Sequence, residues 1–231
     1  MRYDGQSKNL AALEQWPQHL VHLLPICPEV GAGMTVPRPP VQLVASDNLS
    51  TPRARGRDDH DLDVTAALQQ FAHNSAQALA REPALCGYIW KSRSPSCGFE
   101  STPLFDMNGT QIDTTSGIQA HTIHSALPWL ITAEETQLAT SQHIAQFLLL
   151  CRLIFDARWA SSNRAAYPHN HSPSLHRWHQ HYRFLQDILS TADHNALENA
   201  AADGDWDNYL IALQSSCRRV EAERLLDLFR H

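Results

Sequence analysis

The amino-acid sequence predicts an α/β fold, a parallel sheet with flanking helices in a Rossmann-like arrangement, followed by an all-α region. Three observations carry that prediction. Short apolar runs of strand length alternate with helical patterns through the first half of the chain, which favours a helix-covered parallel sheet. Two of these runs, over residues 20–26 and 85–91, stop abruptly in loops of small polar residues and Pro, and each loop carries a cysteine, Cys27 or Cys97. Loops at the carboxyl ends of buried strands are where α/β proteins present working groups. After about residue 132 no strand candidate remains.

Taken in order, residues 8–16 read as a short helix stopped near Pro17, and residues 20–26 as a buried strand leading into Cys27. Residues 30–40, with Gly, Pro and Arg, form an irregular loop long enough to wrap over a site. Residues 41–44 are a short strand. Residues 46–60 are polar, with Arg53, Arg55 and Arg57 before Asp58 and Asp59, and read as a flexible surface loop. A helix over residues 63–81 follows from the stripe Leu68, Phe71, Ala72, Ala76, Leu79, with Thr65 as its cap. Residues 85–91 are the second buried strand. Asn108-Gly109 marks a hairpin within residues 104–114, because that dipeptide accepts the positive φ of a tight turn. Residues 117–127 are helical and residues 129–131 a last short strand. Beyond them, helical patterns cover residues 135–160, 174–190 and 206–229, separated by a connector over 161–173 and by Ala202-Asp203-Gly204-Asp205.

Composition narrows the classes. With 43% hydrophobic and 18% charged residues in 231, the chain matches an ordinary globular protein of one large or two modest domains. No run of about 18 apolar residues occurs, so no membrane span is predicted. The first residues lack the apolar core of a signal peptide, and a cytoplasmic location is expected. A net charge of −6 is no electrostatic footprint for nucleic acid. Five cysteines without a secretory segment do not read as a disulfide framework. Cys86, Cys151 and Cys217 have apolar or helical neighbours and read as buried small hydrophobes; Cys27 and Cys97, in Pro- and Gly-bearing loops, do not.

Two loop cysteines alone are a weak metal signal. His19 and His22, His121 and His124, and the group His169, His171, His176, His179 and His181 each permit a metal reading, with surface or packing histidines the plainer one. Glu29, two residues after Cys27, is either a general acid–base carboxylate beside a thiolate or a surface or helix-capping one; spacing does not choose. Ser94 and Ser96 either position a substrate atom or bond the turn backbone.

Arg2-Tyr3-Asp4-Gly5, Cys27-Pro28-Glu29-Val30-Gly31, Pro37-Arg38-Pro39 and Lys91-Ser92-Arg93-Ser94-Pro95-Ser96-Cys97-Gly98 occur in this order. With Asp63-Val64-Thr65, Gly117-Ile118-Gln119-Ala120 and Pro128-Trp129-Leu130 they resemble the thiouracil desulfidase family over residues 1–133. The two cysteine loops are the specific part. Residues 134–231 resemble, more loosely, the helical domain of that family's two-domain branch, whose members act on thiouridine in transfer RNA. The segment Trp178-His179-Gln180-His181-Tyr182-Arg183 resembles its Phe-His-x-x-His-Lys pattern, with Tyr182 and Arg183 at the last two places.

The resemblance implies an enzyme: a non-redox, 4Fe-4S-dependent desulfuration of thiolated uracil, as 4-thiouridine in tRNA or as the free base or nucleoside, releasing sulfide. In the family three cysteines hold the cluster, and its open iron acts as a Lewis acid on the thiocarbonyl. Cys27 and Cys97 match two ligands, Glu29 the acid–base carboxylate and Ser94 the catalytic serine. Arg2, Tyr3, Asp4, Arg38, Lys91 and Ser96 are expected to bind substrate, and the helical domain is expected to be an RNA-binding accessory. The family's third ligand lies in a Ser-x-Cys-Leu loop upstream of Arg-Tyr-Asp-Gly, and that strand and loop are expected to be missing here. The alternative expectation is a degenerate relative that recognises a nucleobase or RNA without chemistry. A weaker one is a zinc protein using Cys27, Cys97 and a histidine.

Overall fold

The structure, a computed structural model, describes residues 16, 21–46, 52–59, 61–162 and 175–228. The chain divides into two compact units: Met1–Arg81, Ile89–Leu127 and Glu134–Gln137 form the first, and Glu82–Tyr88, Pro128–Ala133 and Leu138–His231 the second. The expected opening helix lies, but for Trp16, outside the described residues.

In chain order the first half runs α1 (Pro28–Gly31), β1 (Val41–Val44), β2 (Arg53–Gly56), α2 (Thr65–Ala80), β3 (Gly87–Trp90), β4 (Thr102–Phe105), β5 (Gln111–Thr115), α3 (Ile118–Ala126) and β6 (Ile131–Glu134). Four strands form one sheet in the order β2-β1-β4-β5, and β3 pairs with β6. The α/β class holds, with the four-stranded sheet mixed: β1 runs parallel to β4, with Leu43 opposite Leu104, while both outer strands are antiparallel. Short connections explain this, since antiparallel neighbours need only a tight turn. The β4–β5 turn is the expected hairpin, with Gly109 at φ 82° and the Asp106 carboxylate accepting the N–H groups of Asn108 and Thr110. Leu43, Ala54, Leu68, Ala72, Leu104 and Ile118 form a core cluster in this unit.

Three expectations fail here. Residues 53–56 are a strand, not a loop: Ala54 and Gly56 are buried and alternate with Arg53 and Arg55, which both pair with Asp63. The charges hid a period of two. Conversely, residues 21–26 form no strand. Leu23 and Leu24 are adjacent and both exposed, at 46% and 63%, and Pro25 has no donor for a ladder. Thr65 starts α2 rather than capping it; its hydroxyl accepts the Ala54 N–H at 2.9 Å and ties the helix to β2.

The second unit is built on α4 (Ser141–Ser162), α5 (Leu175–His181), α6 (Thr191–Asp203), α7 (Trp206–Arg218) and α8 (Ala222–Leu228). The connector, residues 161–173, lies mostly outside the described residues. The sequence did not assign α6, although Ser190 caps it by accepting the Asp193 N–H at 3.2 Å. His169 and His171 lie outside the described residues, and His179 is not solvated: it is buried, 2.9 Å from the Tyr209 hydroxyl and 3.2 Å from Glu198. Among the described residues no helix is long and apolar enough to cross a membrane.

Candidate active site

The site is assembled in the first unit from the Cys27 and Cys97 loops, and the side chain that joins them is Glu29. Cys27 occupies the N-cap of α1 and Pro28 its first position, where a fixed φ suits the helix and the missing N–H is no loss. Glu29 then reaches across the chain. One carboxylate oxygen accepts the Ser96 hydroxyl at 2.8 Å, and the other accepts Arg38 Nε–H at 2.5 Å. Ser96 has no exposed surface and Arg38 only 7%. This geometry makes Glu29 an anchored carboxylate beside two thiols, not a surface one. Ser96 and Arg38, both expected on substrate, each touch Glu29. Arg38 keeps one donor in reserve, because its Nη1 is buried without a hydrogen-bond partner.

The Cys97 loop is held from several sides. Ser94 Oγ accepts the N–H groups of Ser96 and Cys97 at 3.3 and 3.2 Å, and the Ser94 carbonyl accepts from Gly98 N–H and the Thr102 hydroxyl. The first turn of α3 rests on the same loop: Ile118 N–H donates to Pro95 O, and Gln119 N–H to Ser96 O at 2.9 Å. Gly117 is required there, since a Cβ would lie 2.5 Å from the Ser96 carbonyl carbon and 2.8 Å from Cys97 N. Burial pushes the Cys97 thiol well above its ordinary range, and the Glu29 and Cys27 charges push it further, while the Ser94 hydroxyl pulls the other way. Glu29, Cys27 and Ser94 thus all act on the Cys97 thiol.

Glu134, the last residue of β6, and Glu135, the first residue of the expected 135–160 helix, fix both ends of this loop. Glu135 accepts Ser92 N–H at 2.6 Å and the Ser92 hydroxyl at 2.9 Å, and pairs with Lys91. Glu134 accepts Phe99 N–H at 2.8 Å and the Ser101 hydroxyl at 2.5 Å, and Ser101 Oγ accepts Arg93 N–H. Both glutamates are 8% exposed. Between them, Arg93 and Glu100 have φ of 60° and 61°, left-handed backbone that costs a side-chain-bearing residue about 1–2 kcal/mol each. The carboxylates secure the residues beside those strained positions. Lys91, expected on substrate, serves this brace. The available signal was the acidic pair directly after an apolar strand.

Arg2, Tyr3 and Asp4 lie outside the described residues. Of the other cysteines, Cys86 and Cys151 are free thiols of the second unit: burial, and then the hydrogen bond with Cys86, raises the Cys151 thiol, while that hydrogen bond lowers Cys86, and Cys217 is buried on α7. Cys27 and Cys97 fit an iron–sulfur group in kind, as soft thiolates. They do not fit it in number: among the described residues no group of three His, Cys, Asp or Glu side chains is placed to hold a metal. A groove of about 610 Å³ between α2 and α3, with His73 and His121 on its walls, contains neither cysteine nor Glu29.

The model of the 2-thiouracil desulfurase family matches residues 1–135. No curated protein matches the chain. The solved structure of a 4Fe-4S-dependent thiouracil desulfidase, TudS, is 25% identical, with a TM-score of 0.44, over 64% of this chain and 89% of that one.

Proposed function

The chain belongs to the 2-thiouracil desulfurase family, and on that premise we propose that it hydrolyses the carbon–sulfur bond of a thiolated uracil at the Glu29–Cys97 site. The observation that carries this reading is the setting of Glu29, a carboxylate held between Ser96 and Arg38 beside two thiols. Glu29 takes a proton from the water as it adds to the thiocarbonyl carbon and passes it to the sulfur, whose carbon–sulfur double bond becomes single; it then takes the proton of the new hydroxyl and delivers it as the sulfur departs. The carbon–oxygen double bond forms as the remaining carbon–sulfur bond breaks with its electron pair on sulfur, so both water protons end on hydrogen sulfide and uracil results without oxidant or reductant. Ser94 orients its hydroxyl toward the Cys97 sulfur and steadies the loop. Cys27 and Cys97 are the thiolates this chain offers to the 4Fe-4S group that the family relationship supports as cofactor. No step is assigned to that group, because the described residues supply two of the three thiolates the resemblance implies.

The substrate we place first is the free base or nucleoside, ahead of 4-thiouridine in tRNA. In the helical unit Arg152 pairs with Asp156, Arg219 with Asp193, and Arg158 with the Glu82 and Leu85 carbonyls, so three arginines are engaged internally. A net charge of −6 adds to this. Five free cysteines accord with a reducing, cytoplasmic setting.

The test is anaerobic: the full chain is loaded with iron and sulfide, then given 2-thiouracil, 4-thiouracil and tRNA bearing 4-thiouridine. Sulfide and uracil in equal amounts from a free base are expected. A loaded protein that releases no sulfide from any of the three defeats the reading, and turnover of tRNA alone, with a steep salt dependence, reverses the order of substrates.

A further inference from the structure

The structure holds a buried side-chain amide that none of the described residues satisfies. Gln119, the second residue of α3, is 1% exposed, and neither its Nε2 nor its Oε1 has a hydrogen-bond partner. Since both atoms are orphaned, exchanging their positions changes nothing. Buried polar groups in native proteins nearly always find a partner, and one that lacks both of its partners calls for an occupant. The backbone of Gln119 ties it to the candidate active site. The Gln119 N–H donates to Ser96 O, Ser96 donates to Glu29, and Glu29 accepts from Arg38, whose Nη1 is the other buried donor without a partner in this chain of bonds.

We propose that Gln119 reads the imide edge of the substrate ring. This inference rests on the function proposed above. A carboxamide offers one donor and one acceptor side by side in a plane. A uracil or thiouracil ring offers the complement, an N3–H donor next to a carbonyl acceptor. Gln119 Oε1 accepts the N3–H, Nε2 donates to the adjacent carbonyl oxygen, and Arg38 Nη1 supplies a further donor to a ring oxygen. A site built on hydrogen bonds rejects an analogue that lacks them, because its own polar groups are left unpaired.

The role separates from a structural one by the sign of its effect on stability. An amide that bonds only a ligand is a burden to the unliganded protein, and an apolar residue of similar size relieves it. The experiment compares wild type and Gln119→Leu as full-length, iron–sulfur-loaded protein, measuring melting temperature and the affinity for 4-thiouracil and for its N3-methyl derivative. Wild type is expected to prefer 4-thiouracil over the N3-methyl compound by at least tenfold. Gln119→Leu is expected to melt no lower than wild type, to bind 4-thiouracil at least tenfold more weakly, and to lose the N3-methyl preference. A lower melting temperature, or a preference that survives in the variant, overturns the inference. If the variant does not fold, equal affinity of wild type for the two compounds overturns it as well. In any of these cases sulfide release by wild type leaves the proposed function standing; absence of thiouracil binding and release by wild type defeats both.

Discussion

Removing the Glu134 carboxylate tests how the Cys97 loop is held. Glu134→Ala leaves the Phe99 N–H and the Ser101 hydroxyl without their acceptor. A donor kept from water without a partner costs about 1–3 kcal/mol. Both bonds are only partly buried, so the lower half of that range applies, about 2–4 kcal/mol together. For a chain of this size each kcal/mol moves the melting temperature by about 2–4 °C, which gives a loss of about 4–16 °C. Glu134→Gln retains an acceptor oxygen in the same place and loses only the charge assistance, about 1 kcal/mol. Scanning calorimetry reads the transition of the first unit, and hydrogen exchange of the Phe99 amide reads the loop itself. The alanine variant is expected to destabilise more than the glutamine variant and to expose that amide. If both variants melt within about 1 °C of wild type and the Phe99 amide stays protected, the carboxylate is not holding the loop and the bracing argument fails.

Three further expectations follow from the same site. Burial acts to raise the Glu135 carboxyl, but the Lys91 pair and the Ser92 bonds prevail and hold it below its ordinary value. Its contribution is therefore complete above the unfolded value of about 4.3 and is lost as pH falls through the lower folded value; the stability gap between wild type and Glu135→Gln is expected to be constant at neutral pH and to shrink below about pH 4, as denaturant titrations at each pH will show. Cys27→Ala and Cys97→Ala are each expected to lower bound iron, while Cys86→Ala leaves it unchanged, since the Cys86 thiol lies in the other unit and is hydrogen-bonded with Cys151; equal iron loss in all three variants would refute the assignment. Gly117→Ala drives a methyl group into the Ser96–Cys97 peptide, whose backbone atoms lie 2.5–2.8 Å from the new carbon; a loss of about 2 kcal/mol or more, with desulfuration abolished, is expected from overpacking, and a variant with wild-type melting and turnover would contradict it.

What the sequence made legible, and what it hid, follows from how each interaction is encoded. Helices α2 and α3 were readable because their apolar stripes recur at helical spacing, and the β4–β5 hairpin because Asn108-Gly109 has few other uses. Strand β2 was hidden by Arg53 and Arg55, whose charges are neutralised by Asp63 from eight or more residues away. The Cys27 and Cys97 loops were found through motif chemistry. Glu134 and Glu135 were not, because their partners, Ser92, Phe99 and Ser101, lie more than thirty residues upstream and no local pattern marks such a bond. Gln119 was visible only as a letter in a motif; its lack of partners exists only in three dimensions.

The distribution of these bonds bears on how the site works. Polar side chains from four separated segments, at residues 29, 38, 94–96 and 134–135, bond one another or the loop backbone. None of the hydrogen bonds among them needs a metal to complete it. The loop is thus shaped by the protein itself, unlike small metal domains whose ligands are gathered only when the ion binds. That division of labour has a consequence for catalysis. Glu29 is held on two sides, so in the function proposed above its carboxylate would be placed before substrate arrives, with the entropy of placing it spent during folding rather than in the transition state. The same reasoning explains why Ser96 and Arg38 are buried though neither faces open solvent: they position the group that acts, and the specificity for the ring is left to donors and acceptors that folding does not use.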